Sequence, residues 1–246
     1  MSERASEPGG SPVDREFYDE LYRSTPAVWS GRPNRQLVVE ASDLSPGTAL
    51  DAGCGEGADA LWLAERGWRV TAVDFSAVAL DRGVAAARAR GLDDRIAWVP
   101  ADLDTWTPPG RFDLVTAHYL HSHGSDRPAL FERLAAAVAP GGTLLVVGHL
   151  LGEDAGHDHQ HGHDHQHGHD PDHAGPDHGD HGEADRNHAH DLDLMYTAEE
   201  VAAALDPEEW CDVVTETRDR DPEATARTGN TAPDTVLVAR RLTGAR

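Results

Sequence analysis

From Thr48 onward, short apolar runs alternate with stretches in which apolar positions recur every three or four residues. "TALD", "RVTAVD", "RIAWV", "FDLVTAH" and "TLLVVG" have the length and β-branched content of strands. The fourth is nearly continuous, as in a strand covered on both faces. Between the first two, Ala60, Leu61 and Ala64 make one helical face that stops at Gly67. Ser76 is placed to cap a helix with Ala77, Leu80, Val84 and Ala87 inward, ending at Gly91. Pro128 suits the first turn of another, with Leu130, Leu134, Ala137 and Val138 in one stripe, before "PGG" turns into the strand at Thr143–Gly148. Two helices are expected ahead of the first strand, over Val13–Arg23 and Asn34–Ala41. Near the far end, "TAEE" at Thr197–Glu200 is a capping box, followed by strands around Cys211–Thr217 and Thr235–Arg240. The alternation reads as one α/β domain over residues 13–246.

Two segments break the pattern. Residues 1–12 are polar with glycine and proline and are expected to be disordered. Between 153 and 191 the composition changes to His, Asp, Gly and Gln, and twelve of the sixteen histidines fall between 153 and 193. Nothing large and apolar occurs there, so burial cannot offset the entropy of ordering, and a disordered insertion is expected. His157, His159, His161, His163, His165, His167 and His169 stand at every second position. On a flexible backbone such imidazoles can gather around zinc, nickel, cobalt or copper, and the other reading is a solvated low-complexity insertion.

All 21 basic residues are arginine. Without lysine the chain has no Walker-type phosphate loop, no Schiff base and no lysine general base. The formal charge of −23 disfavours nucleic-acid phosphates and anionic membranes and favours a small-molecule substrate. Only two cysteines, Cys54 and Cys211, are present, so no disulfide framework is implied. No apolar stretch is long enough to span a bilayer and the first residues lack a signal-peptide core, so a cytoplasmic monomer or homodimer is expected.

The chemistry is concentrated in "TALDAGCGEG". It reads as a strand and a glycine turn opening a helix, with an acid, Asp74, ending the next strand 23 positions after Asp51. Gly53, Gly55 and Gly57 leave bare backbone on which a ligand can lie, and Asp74 has the offset of an acid that holds ribose hydroxyls. Gly53, Gly55 and Ala58 also satisfy the dinucleotide fingerprint, so a nicotinamide-dependent oxidoreductase is the rival reading. Asp51 favours S-adenosylmethionine, because a carboxylate two residues before the first glycine meets an ammonium well and a pyrophosphate badly.

"LDAGCGEGADALWLAERGWRVTAVDFS" resembles the first two motifs of class I S-adenosylmethionine-dependent methyltransferases. "VPADLDTW", "RFDLVTAHYLH" and "APGGTLLVVGH" follow in the order and spacing of that family. The resemblance implies an α/β, Rossmann-like, doubly wound, mostly parallel seven-stranded sheet with an antiparallel last strand. Its tellurite-resistance and thiopurine-type branch is the most similar, through the wording of the glycine motif and through Tyr22, Arg23 and Trp29. That branch implies a thiol, thiopurine or chalcogen oxyanion as methyl acceptor.

By the same resemblance, Asp51, Gly53, Cys54, Gly55, Gly57, Asp74, Phe75, Ala101, Asp102 and Leu103 form the cofactor pocket. Asp102 would meet the adenine amino group, with Asp104 close enough to compete, while Ala101 and Leu103 pack on the ring. Phe75 lies over ribose or adenine, or is a core aromatic. "HYLHSH" follows the fourth strand, where the acceptor meets the sulfonium, so His118, Tyr119, His121 and His123 are candidates to line that site or act as a base. Arg23, Arg32 and Arg35 are either anion attractors or solvated surface groups. A metal-buffering protein, with the fold as scaffold for the histidine tract, is the rival from another class.

Overall fold

A computed structural model describes residues 15–25, 28–120, 127–150, 196–222, 225 and 231–244. Both expected disordered segments, 1–12 and 153–191, lie outside the described residues. The strands are β1 (Thr48–Ala52), β2 (Arg69–Asp74), β3 (Ile96–Pro100), β4 (Phe112–His118), β5 (Val138–His149), β6 (Trp210–Arg218) and β7 (Asp234–Arg241). They form one sheet in the order β3-β2-β1-β4-β5-β7-β6. β1 to β5 pair in parallel, and β7 runs antiparallel between β5 and β6. This is the sheet that the resemblance implied.

The helices are α1 (Arg15–Ser24), α2 (Arg35–Ala41), α3 (Ala58–Glu65), α4 (Ala77–Arg90), α5 (Arg127–Ala136) and α6 (Ala198–Ala202). Strand periodicity sends alternate residues of β5 to opposite faces. Leu144 and Val146 join Leu130, Phe131 and Leu134 of α5 and Val201 of α6. Leu145 and Val147 join Leu37 of α2, Leu61 and Leu63 of α3 and Ala87 of α4. With both faces covered, the open edge for a ligand is the carboxyl end of the parallel strands. The order reverses between β1 and β4, the switch point where such sheets bind ligands. Among the described residues, no helix is long and apolar enough to cross a membrane.

Local signals account for most boundaries. Asn34 accepts from the Gln36 N–H at 2.8 Å and Ser76 from the Ala79 N–H at 3.2 Å, capping α2 and α4. Thr197 and Glu200 form the expected reciprocal box at α6.

Two details differ from the sequence expectation. α5 ends at Ala136, and Val138 already pairs with Phe112, so "PGG" is an irregularity inside β5 instead of a turn ahead of it. The cause is close backbone approach: a Cβ on Gly142 would stand 2.9 Å from the Ala139 carbonyl oxygen and 3.0 Å from those of Phe112 and Asp113. In α4 the inward residues are Ala79, Leu80, Gly83 and Ala87, whereas Ala77 is exposed and Val84 half-buried. Gly83 faces inward because the Trp98 indole fills the space a side chain would take.

Gly83→Ala therefore tests packing against propensity. Alanine gains about 1 kcal/mol in a helix interior, but its Cβ would lie 2.5 Å from the rigid Trp98 ring and 3.2 Å from the Glu56 carbonyl oxygen. Overpacking of this kind costs about 1–3 kcal/mol, so a lower Tm is expected in calorimetry. An unchanged or higher Tm would show that the indole gives way.

Candidate active site

The turn after β1 is tied to β2 by its backbone. The N–H groups of Gly53 and Cys54 both donate to the Val73 carbonyl, at 2.9 and 3.0 Å. Gly55, at φ +51°, turns its own N–H to Asp74 Oδ2 at 2.8 Å, and the Ser76 N–H takes Asp74 Oδ1 at 2.8 Å. Asp74 is buried, and with one backbone donor on each oxygen its carboxylate plane is fixed at the end of β2. Gly57 serves packing: at φ +80°, a Cβ there would stand 2.3 Å from Trp98 Cη2.

Asp51, at the end of β1, is 2% exposed. Thr116 Oγ1 lies 3.4 Å from its Oδ1, and Oδ2 is buried without a hydrogen-bond partner among the described residues. Burial first, and then the Asp59 charge, push its pKa up to about 7. The Cys54 thiol is pushed well above its ordinary value by burial and by Asp51 and Asp74, so it stays protonated and unreactive. An unsatisfied buried carboxylate oxygen beside glycine backbone, with a second carboxylate 23 residues on, fits a ligand bearing an ammonium and a ribose.

A second polar group stands over β4, β5 and β7. His118 ends β4, and its Nδ1 lies 2.7 Å from Asp59 Oδ2, while its Nε2 is buried with no partner among the described residues. An ionised Asp59 accepts from Nδ1–H, which leaves the lone pair on Nε2. Tyr119 has φ +51° and donates its hydroxyl to Asp234, with the two carboxylate oxygens at 3.0 and 3.1 Å. Its ring stacks on His149, centroids 4.2 Å apart, and Arg220 Cζ lies 5.1 Å from the ring centre. Burial and the Asp234 charge raise the Tyr119 pKa, keeping the phenol neutral.

Residues 49–142 match the family model of a methyltransferase domain. Trans-aconitate 2-methyltransferase of Rhizobium meliloti (strain 1021) is 38% identical over 117 residues, covering 47% of this chain and 43% of that protein. A probable chloroplastic tocopherol O-methyltransferase of Oryza sativa subsp. japonica is 31% identical over 112 residues, 45% of this chain and 31% of the relative. The chain thus spans less than half the length of these two relatives. The N-methyltransferase NodS from Bradyrhizobium japonicum WM9, solved with S-adenosyl-L-homocysteine, aligns over 92% of this chain and 98% of that one. Its TM-score is 0.61 at 15% identity, a likeness of fold. Residues 49–142 thus carry a methyltransferase domain, set in a fold shared with S-adenosylmethionine-dependent methyltransferases. Of the two cofactors that the glycine pattern admits, the matched domain supports S-adenosylmethionine.

On the other side of this domain, α1 closes over the glycine turn. Tyr18 meets Phe75 edge-on with centroids 5.6 Å apart, and Ser76 Oγ donates to Asp19 at 2.5 Å. Trp29 Nε1 donates to Tyr22 at 2.9 Å, and both groups lie against Gly55. Arg82 ties this cap down through Glu56 at 2.6 Å, the Thr25 carbonyl at 2.7 Å and the Tyr22 carbonyl. Arg23, Arg32 and Arg35 are exposed.

After β3, the Ala101 N–H donates to the Asp74 carbonyl at 3.0 Å, which sets that loop beside β2. Asp102 is exposed and accepts from the Asp104 N–H at 2.9 Å, organising its own turn, whereas Leu103 is buried in the core under α5. His121 and His123 lie outside the described residues, as do His157, His159, His161, His163, His165, His167 and His169. Among the described residues, no group of three or more His, Cys, Asp or Glu side chains could hold a metal ion. The sequence reading missed Asp59, His149, Arg220 and Asp234. Only Asp59 carries a local signal, as an acid in the first turn of α3.

The raised Asp51 pKa makes a signed prediction. A protonated Asp51 has no charge for an ammonium, so an ammonium ligand must displace the proton whenever the pH is below about 7. Affinity for S-adenosylhomocysteine, measured calorimetrically, should therefore climb as pH rises towards about 7, with proton release visible as a buffer-dependent enthalpy. Asp51→Asn should flatten the profile. A wild-type profile already flat would sink this role.

Proposed function

We propose that this chain transfers a methyl group from S-adenosylmethionine to a small-molecule acceptor bound over β4 and β5, and releases S-adenosylhomocysteine. The observation that carries the reading is the pair of buried carboxylates flanking the glycine turn. Asp51 has an unsatisfied oxygen for the ammonium, and Asp74 is locked by backbone donors in position for the ribose. When bound, the cofactor supplies an electrophilic methyl group on a sulfonium. The chain's own task is then to orient it and to hold the nucleophile in line at near-attack distance. His118 Nε2 is suited to take a proton from an oxygen or nitrogen nucleophile, and an anionic chalcogen needs no such help.

The branch resemblance favours a thiol, thiopurine or chalcogen oxyanion as acceptor, and the names of the relatives add carboxylic and phenolic acceptors to the range worth screening. The test is calorimetry with S-adenosylmethionine, S-adenosylhomocysteine and NAD, followed by a methylation screen over thiols, selenite, tellurite and trans-aconitate. Purified protein that takes up neither S-adenosyl compound would overturn the reading. The metal-buffering alternative rests on the twelve histidines between 153 and 193. Under it, deleting residues 153–190 abolishes nickel or zinc binding, and under the methyltransferase reading turnover survives the deletion.

A further inference from the structure

Arg220 lies just beyond β6, and its side chain is 6% exposed. One nitrogen, Nη2, reaches His149, with Nδ1 at 2.9 Å and Nε2 at 3.2 Å. The other two, Nε and Nη1, are buried and make no hydrogen bond among the described residues. Asp234 is the nearest counter-charge, with its Oδ1 at 3.9 Å from Nε, too far for a hydrogen bond. The Asp234 carboxylate is instead occupied by the Tyr119 hydroxyl. A guanidinium cannot lose its charge, so its unpaired donors keep their full desolvation cost of about 1–3 kcal/mol each or more. Such a group calls for an acceptor that none of the described residues supplies.

Its place in the sheet says where that acceptor would lie. His149 pairs with Asp234 across β5 and β7, and His118 pairs with Val147 across β4 and β5. Neighbouring strands are about 4.8 Å apart. The open guanidinium and the open His118 nitrogen therefore stand about one or two strand spacings apart along the same carboxyl edge, the span of a small metabolite.

We propose that Arg220, with its partners His149 and Tyr119, forms a subsite for a carboxylate carried by the methyl acceptor. This inference rests on the methyltransferase reading and names the acceptor class within it. The carboxylate takes charge-assisted hydrogen bonds from Nε and Nη1, and the rest of the molecule reaches towards His118. His149, by holding Nη2, acts as a positioning residue for the guanidinium.

The test uses the full-length protein saturated with S-adenosylhomocysteine, so that uptake of that compound checks the underlying reading and the fold separately. Succinate, trans-aconitate and benzoate are titrated against their uncharged amides, with inorganic phosphate as a further arm. At least one carboxylate should bind ten-fold or more tightly than its amide. Arg220→Gln should remove that preference while S-adenosylhomocysteine affinity stays within two-fold. Should Arg220→Gln fail to take up S-adenosylhomocysteine, Arg220→Lys and His149→Asn provide the same comparison. Carboxylates that bind no better than amides overturn the proposal, as does a preference that survives in every variant. Phosphate binding as tightly as the best carboxylate reduces the site to an adventitious ion only and overturns it too.

Discussion

Asp74→Asn should weaken S-adenosylmethionine and S-adenosylhomocysteine binding by about 10- to 100-fold while the protein stays folded. Each hydrogen bond from a ribose hydroxyl to a carboxylate is a bond to a charged group, worth about 1.5–3 kcal/mol. The asparagine keeps one acceptor oxygen but presents an NH₂ group where one of two backbone donors, Gly55 or Ser76, now points. Asp74→Ala goes further, because it leaves both N–H groups without their acceptor. Two buried orphan donors cost about 1–3 kcal/mol each, so the alanine variant should also lose several degrees in Tm and blur the turn. Comparing the two variants by calorimetry separates the ligand role from the structural one. If Asp74→Asn binds both compounds as the wild type does, Asp74 is only a clasp between the β1 turn and α4.

The same residue shows why part of the site could be read without a structure. Asp51, the glycine turn and Asp74 belong to one strand-turn-helix-strand unit, so their spacing along the chain is already their spacing around the ligand. Ser76 and the box at Thr197 were legible for a similar reason, since a cap bonds within three residues of itself, whereas Asn34, read only as the start of a helix, proves to be its cap. Gly83 was not, because a helical glycine adds nothing to an apolar stripe, and only Trp98, from the next strand, explains why it faces inward.

The acceptor side lies at the other extreme. His118 meets Asp59 across 59 positions, Tyr119 meets Asp234 across 115, and Arg220 meets His149 across 71. In the chain Arg220 sits in "RDRDPE", which reads as a solvated charged turn. It becomes a buried cation only because β7 returns antiparallel between β5 and β6 and carries Asp234 to the carboxyl edge of the sheet. Topology, and no local pattern, assembles that half of the site.

The sharpest question about that half is whether His118 moves a proton, and paired acceptors answer it. With a nucleophile that carries a proton at neutral pH, such as a phenol or an amine, His118→Ala should lower kcat by about 10²-fold or more, the usual scale of a positioned base. With an acceptor already anionic, such as selenite or a carboxylate, the same variant should keep kcat within a few-fold. Asp59→Asn should show a smaller loss with the first kind of acceptor, because it holds the Nδ1 proton and so reserves Nε2 for the chemistry. Asp59 also has an effect that a purely structural residue would not have. Its charge is the second-largest cause that raises the Asp51 pKa, so Asp59→Asn should move the pH dependence of cofactor affinity to lower pH. That shift is independent of the acceptor and is read by calorimetry alone. Equal losses of kcat with both kinds of acceptor would show that His118 shapes the pocket and transfers no proton. A kcat loss confined to protonated acceptors, together with the shifted binding profile, would assign the base to His118 and its orientation to Asp59.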